Sequence, residues 1–126
     1  AYTMAKYGMS LCVLGMAEEF KEQGVAVNAL WPRTAIATAA IKNALGGDAI
    51  MNISRFPEIM GDAAYTIITK PSKEFTGNFC IDDTVLADNG VTDLSVYADV
   101  PFDQLAPDFF VPEDNEAPTV AKESYQ

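Results

Sequence analysis

Residues 1–30, AYTMAKYGMSLCVLGMAEEFKEQGVAVNAL, pass from the apolar spacing of a helix to that of a buried strand. Up to about residue 23 the apolar and small side chains recur three and four positions apart, which predicts a helix. Gly24 then stands where a helix often ends on a left-handed residue. The run VAVNAL is short and mostly apolar, as in a strand buried in a parallel sheet. Helix, glycine and buried strand together predict half of a βαβ unit, and therefore an α/β fold.

The following residues predict two further helices and a second strand. RTAIATAAIKNAL (33–45), closed by Gly46-Gly47, predicts a short helix, and the stretch from there to Pro57 predicts a loop. Pro57 suits the first position of a helix that continues through EIMGDAAYTIIT. FTGNFCID (75–82) is rich in aromatic and apolar side chains and predicts a strand. The predicted order from residue 1 is helix, strand, helix, helix, strand.

The 126 residues carry a net charge of −10, and all of it lies in the last third of the chain. Acidic and basic side chains balance over residues 1–81, whereas residues 82–126 hold eleven acids and one base, Lys122. An acidic chain repels phosphate backbones, which argues against nucleic acid as a partner. Scattered acids and prolines predict an extension packed on the surface at 84–112 and a disordered tail at 113–126.

Several classes of function are disfavoured by what the sequence lacks. It contains no His, so it holds neither a His-dependent triad nor a His-ligated zinc site. Cys12 and Cys80 form no CxxC motif, and no metal site is predicted. No run approaches the roughly 18 apolar residues that a membrane helix needs, and no signal peptide opens the sequence. A cytoplasmic location and no membrane partner are the default predictions.

Tyr2 and Lys6 are four residues apart on the predicted first helix, a spacing that puts both side chains on one face. A free phenol has a pKa of about 10, so it seldom ionises near neutral pH. An ammonium at about 4 Å, in an effective dielectric of about 20, stabilises a phenolate by at most about 4 kcal/mol. Such a phenol can give a proton to a carbonyl oxygen or take one from an alcohol. Taken alone, however, this spacing is better interpreted as an exposed lysine beside a half-buried tyrosine.

The surroundings of this pair reverse that interpretation. YTMAKYG, VAVNALWPRT and FTGNFCIDD follow one another like the Y-x-x-x-K helix, the N-x-x-x-P-G strand and the T-G-x-x-x-x-x-D strand of short-chain dehydrogenases/reductases. Asn28 and Pro32 match the second motif, and Thr76, Gly77 and Asp82 match the third. The chain therefore resembles the C-terminal half of that family. LWPRTAIATAA, DAAYTIITKPSKEFTGNFCIDD and LAPDFF are similar in particular to the hydroxysteroid dehydrogenase-like protein 2 subgroup and its bacterial relatives.

The resemblance implies a fold, a reaction and a set of site residues. The fold would be the C-terminal portion of a Rossmann-type doubly wound parallel sheet, formed by residues 1–83 and followed by the acidic C-terminal extension. Tyr2 would be the catalytic acid/base of an NAD(P)-dependent oxidoreductase that reduces a carbonyl or oxidises an alcohol. Lys6 would be catalytic with it, by holding the nicotinamide ribose and favouring the phenolate. The implied cofactor-binding residues are Tyr2, Lys6, Pro32, Thr34 and Ile36.

The resemblance also implies a cofactor preference, an assembly state and a behaviour of the isolated chain. It favours NADP over NAD, and it implies a homo-oligomer when the protein is full length. In the resembled subgroup a basic residue replaces the glycine after the strand's proline, as Arg33 does here. The family's phosphate loop and its catalytic Ser and Asn have no counterpart in these residues, so we expect the isolated chain to be inactive. The alternative is a noncatalytic interaction or dimerisation module, in which the small residues of the first helix allow close helix approach.

Overall fold

A computed structural model describes residues 1–124, apart from the side chain of Leu45. The helices are α1 (Tyr2–Glu19), α2 (Ala39–Ile41), α3 (Gly47–Met51), α4 (Glu58–Ile68), α5 (Asp82–Asp88) and α6 (Thr119–Glu123), and the strands are β1 (Ala29–Trp31) and β2 (Phe79–Ile81). A π-helical turn (Lys42–Gly46) joins α2 to α3, and 3-10 turns occupy Ser95–Tyr97 and Phe102–Gln104. Among residues 1–124, none of the helices combines the length and the apolar character needed to span a bilayer.

The two strands form a parallel pair in which Leu30 lies opposite Cys80. Parallel neighbours cannot be joined by a hairpin, and here the connection is the segment that carries α2, α3 and α4. The helix α1 precedes β1 and packs against it. The predicted α/β class with a parallel sheet is confirmed. Each strand has only three residues, fewer than the sequence predicted.

Side-chain hydrogen bonds join the residues that precede the two strands. Asn28 Oδ1 accepts the backbone N–H of Asn78 (3.0 Å), and Thr76 Oγ1 accepts that of Val27 (3.0 Å). Gly77 has a φ of +74°, a left-handed conformation that side chains with a Cβ adopt at a cost. Its N–H donates to the Val27 carbonyl (2.8 Å). The asparagine and Thr-Gly positions of the two motifs therefore hold β1 and β2 in register.

The buried core lies where α4 and α5 meet beneath the parallel strands. The sequence predicted that residues 84–112 pack on the surface, but this segment supplies much of the core. The reason is that its apolar residues lie in the short helix α5 and in the turns after it, which are too short to show a hydrophobic periodicity that would predict their burial. The side chains of this core include Ile59, Ala63, Cys80, Val85, Leu86, Leu94, Tyr97 and Ala121.

The predicted helix at 33–45 is wrong over its first half. Residues 33–38 are extended, with single β-bridges at Thr34 and Ile36, and α2 begins only at Ala39. The glycine stop is also wrong, because the chain continues as α3 where a loop was predicted. Gly46-Gly47 has positive φ at both residues, which lets the helical segment change direction without stopping.

The end of the chain is helical where the sequence predicted a disordered tail. Ala121 of α6 is fully buried, and α6 packs against α5 and against the 3-10 turn at Phe102–Gln104. Ser124 Oγ accepts the backbone N–H of Leu94 (2.8 Å). These contacts add α6 to the core. The prediction for residues 125–126 lies outside the described residues.

Candidate functional site

Tyr2 and Lys6 lie on one face of α1, as their spacing predicted. Lys6 Nζ is 5.4 Å from the centroid of the Tyr2 ring, within the range of a cation–π contact. The Tyr2 side chain is 63% exposed, so the pair is accessible to a ligand. The first turn of α1 therefore presents a phenol and an ammonium side by side.

A cleft of about 320 Å³ opens beside this pair, between α1 and β1. Its apolar walls include Trp31, and it extends to Pro32 just beyond the end of β1. The structure thus brings three of the predicted site residues, Tyr2, Lys6 and Pro32, to one cleft. A proton donor, a positive charge and an apolar wall are what a carbonyl substrate would require there.

Thr34 and Ile36, the other two predicted site residues, do not line this cleft. They lie in the extended segment that follows β1, and Thr34 is buried. Their neighbours Ala35 and Ala37 donate backbone N–H groups to carbonyls on one side of the segment, both at 2.8 Å. Successive amides of an extended chain point to opposite sides. The backbone groups of Thr34 and Ile36 therefore point to the other side of the segment.

Sequence reasoning missed Phe110, which packs on Tyr2 although the two residues lie near opposite ends of the chain. Their ring centroids are 6.0 Å apart. Phe110 also contacts the rings of Tyr7 and Trp31. Phe110 lies in the mostly apolar run DFFV (108–111), but nothing in the sequence indicated that this run would reach α1.

Known proteins are similar to this chain in sequence and in fold. Hydroxysteroid dehydrogenase-like protein 2 of Xenopus tropicalis is 55% identical over 99% of this chain, and its counterpart of the same name in Homo sapiens is 55% identical over 98%. A crystal structure of a short chain dehydrogenase from Mycobacterium thermoresistibile matches 93% of this chain with 52% identity and a TM-score of 0.76. The chain belongs to the short-chain dehydrogenase/reductase family.

The match covers only part of these relatives. The chain spans 29% of the length of each of the two curated relatives and 43% of the mycobacterial structure. A protein from Xanthomonas campestris assigned as a dehydrogenase also matches, with 55% identity and a TM-score of 0.80 over 89% of this chain and 40% of its own. No protein-family model matches the chain. The family predicted from the three motifs, and the subgroup predicted from the longer similar stretches, are confirmed.

In this member of the short-chain dehydrogenase/reductase family, Arg33 stands where the broad motif has glycine, and it belongs to a buried ion cluster. Its Nε donates to both carboxylate oxygens of Asp83 (2.8 and 2.7 Å), and its backbone N–H donates to Asp82 Oδ1 (3.0 Å). The Arg55 Nη1 donates to Asp83 Oδ2 (3.1 Å). Arg55, Asp82 and Asp83 are fully buried. The cluster ties the segment after β1 to the start of α5.

Only one carboxylate of this cluster is well paired. Asp83 accepts from both guanidinium groups, whereas Asp82 Oδ1 lies 3.8 Å from Arg55 and Asp82 Oδ2 has no hydrogen-bond partner among the described residues. Burial raises the pKa of the Asp82 carboxyl to about 6, because the charge of Arg55 only partly offsets the loss of water. The motif aspartate is therefore a weaker acid than an exposed carboxyl.

We expect the Asp82 carboxyl to make the chain less stable as the pH rises from about 4 to about 6. Below 3.8, its ordinary pKa, the carboxyl is protonated in both states and its favourable contribution is complete. Between 3.8 and about 6, the folded chain keeps a proton that the unfolded chain has lost. The free energy of unfolding then falls with rising pH, by on the order of 3 kcal/mol in total.

Urea unfolding of the wild type and of Asp82→Asn at several pH values tests this expectation. Asn keeps an oxygen that can accept the N–H groups bonded to Oδ1 but cannot ionise. The difference in unfolding free energy between the two proteins should move by about 3 kcal/mol in favour of the Asn variant as the pH rises through the window. A difference that is the same at every pH would contradict the expectation.

Proposed function

We propose that this chain carries the acid/base part of an NAD(P)-dependent short-chain oxidoreductase, which reduces a carbonyl or oxidises an alcohol. The observation that carries the proposal is that Tyr2, Lys6 and Pro32 meet in one cleft. They come from two elements, the start of α1 and the end of β1. The family of the chain agrees with this reaction class.

Tyr2 moves the proton in this reaction. Its hydroxyl donates to the carbonyl oxygen during reduction and accepts from the alcohol during oxidation. Lys6 places a positive charge beside the Tyr2 ring and has three N–H donors, enough to hold ribose hydroxyls. The nicotinamide group, when bound, supplies or accepts the hydride.

The segment after β1 holds the cofactor from the other side. Pro32 lines the cleft. The backbone groups of Thr34 and Ile36, which point away from the bonded carbonyls of Ala106 and Arg55, would donate and accept hydrogen bonds to a carboxamide. The family resemblance favours NADP over NAD. The partners are then a nicotinamide dinucleotide and a small carbonyl or alcohol substrate, and no nucleic acid. The full-length protein would be a homo-oligomer in the cytoplasm.

We expect residues 1–126 alone to be inactive. Among the described residues the sheet has two strands, and a dinucleotide binds in a crevice that needs more of the doubly wound sheet. The test compares this polypeptide with a chimera in which it follows the preceding part of the Xenopus tropicalis relative. Each is assayed with NADPH and NADH over a panel of ketones. Turnover by the chimera alone supports the proposal, and an inactive but folded chimera contradicts it.

The alternative function, a noncatalytic interaction module, is favoured by the surface of α1. Apolar side chains of this helix are exposed, among them Met4 (75%), Leu11 (67%) and Leu14 (54%). Such a surface is suited to a protein partner. Sedimentation of the isolated polypeptide, combined with the turnover assay of the chimera, distinguishes the interaction module from the oxidoreductase. A dimer that Leu11→Glu dissociates, together with an inactive chimera, would favour the module.

A further inference from the structure

The segment from Ala106 to Phe110, far from β1 along the chain, forms backbone hydrogen bonds with the residues that follow β1. The backbone N–H of Asp108 donates to the Arg33 carbonyl (2.9 Å), and that of Ala35 donates to the Ala106 carbonyl (2.8 Å). These bonds flank the antiparallel bridge between Thr34 and Pro107. The segment is therefore held beside the residues that follow β1 by a single antiparallel bridge.

This segment places the aromatic ring of Phe110 next to that of Tyr2. The ring of Phe110 lies nearly parallel to that of Tyr2, with an interplanar angle of 28° and 6.0 Å between centroids. It meets Tyr7 and Trp31 edge-on, at 5.7 and 6.4 Å. Phe110 is thus held by α1 on one side and by β1 on the other.

Asp108 stabilises the turn that orients the Phe110 ring. Its Oδ2 accepts the backbone N–H of Phe110 (2.8 Å), and both residues line the cleft beside Tyr2. Phe109 lies between them and points away, with 75% of its side chain exposed. The local geometry therefore selects Phe110 over its neighbour.

We propose that Phe110 is a positioning residue for Tyr2, held in place by Asp108; this rests on the function proposed above. Tyr2 is the first residue of α1 and is largely exposed, and its ring contacts the ring of Phe110 and the ammonium of Lys6. A tyrosine without such a contact samples several staggered rotamers. Stacking on Phe110 keeps the phenol at the cleft, where proton transfer requires it.

The first test measures the orientation of Tyr2 in the 126-residue polypeptide. Its χ1 populations are obtained from side-chain couplings, with the Tyr2 signals assigned by their loss in Tyr2→Phe. Phe110→Leu keeps an apolar side chain but removes the ring, and we expect it to shift the Tyr2 ring signals and to average its rotamers. Phe109→Leu, the matched control, should leave both unchanged. A Tyr2 signal that ignores Phe110→Leu, or that responds equally to both variants, would overturn the proposal.

The second test separates positioning from general stability. In the active chimera we expect Phe110→Leu to lower kcat about 5-fold, the population change that an aromatic contact of about 1 kcal/mol produces, with KM nearly unchanged. Phe110→Tyr should restore kcat because it keeps the ring. Asp108→Ala should share the defect, and Asp108→Asn should not, because its amide oxygen still accepts the N–H.

The two proposals fail in different ways. Full turnover by a Tyr2→Phe chimera would overturn the proposed function, whereas the rotamer measurement on Tyr2 would still decide whether Phe110 orients it. A Phe110→Leu variant that loses unfolding free energy in urea, but keeps its kcat and its Tyr2 rotamer, would show a merely structural role and overturn the inference.

Discussion

Replacing Asp83 by Asn is expected to lower the free energy of unfolding by about 3–5 kcal/mol, the cost of breaking a buried ion pair from one side. Asp83 is fully buried and accepts hydrogen bonds from Arg33 and Arg55. An amide in its place leaves the guanidinium groups of Arg33 and Arg55 without their charged partner, and only that of Arg55 has the Asp82 carboxylate nearby, at 3.8 Å. Domains have only about 5–15 kcal/mol of stability, so the variant should be close to unfolding at room temperature.

Urea unfolding followed by circular dichroism measures this loss. Asp88→Asn is the matched control, because it makes the same chemical change at an exposed position on the same helix, α5. Surface substitutions of this kind stay within about 0.5 kcal/mol. If Asp83→Asn unfolds at the same urea concentration as Asp88→Asn, the cluster does not stabilise the fold in the way its geometry indicates.

Replacing Tyr2 by Phe in the active chimera is expected to lower kcat by about 10²–10⁴-fold, the usual contribution of a general acid or base. The substitution removes one oxygen and keeps the ring, so that its stacking on Phe110 is preserved. Substrate and cofactor still bind the apolar walls of the cleft, so KM should change much less than kcat. The loss is then specific to the proton-transfer step.

The kinetic comparison includes Tyr7→Phe as its control. Tyr7 lies one residue beyond Lys6 on the same helix and contacts Trp31 and Phe110 through its ring. Its hydroxyl has no part in the proposed chemistry, so kcat should remain within about 2-fold of the wild type. Equal losses in the two variants would show that α1 tolerates no change, and an unaltered kcat in Tyr2→Phe would remove Tyr2 from the mechanism.

Local patterns predicted the elements that local forces maintain. The helical spacing up to about residue 23 predicted α1, and Pro57 marked the start of α4 to within one residue, since the helix begins at Glu58. The small residues of 33–38 favour a helix by propensity, and there the prediction is wrong. They are extended because hydrogen bonds to Ala106 and Arg55 outweigh a propensity of a few tenths of a kcal/mol per residue.

In the candidate site, too, the sequence correctly placed the residues whose separation is set by local helix geometry. The i, i+4 spacing was sufficient to place Tyr2 beside Lys6, because one helical turn sets their separation. Thr34 and Ile36 were assigned from the family motif, and the structure puts them in a segment beyond the cleft rather than on its wall. Their role in binding a cofactor remains a prediction.

By itself the amino-acid sequence determined the α/β class, the family and the shared face of Tyr2 and Lys6, because each depends on residues that are close together along the chain. Only the tertiary structure decided that Asp82 and Asp83 are buried against Arg33 and Arg55, and that Phe110 reaches Tyr2. The sequence placed both aspartates in its acidic last third, and the charge count said nothing of their burial. Whether a carboxylate is solvated or paired depends on the distance to its partner and on the exclusion of water, and both arise only when the crossover between β1 and β2 brings distant segments together.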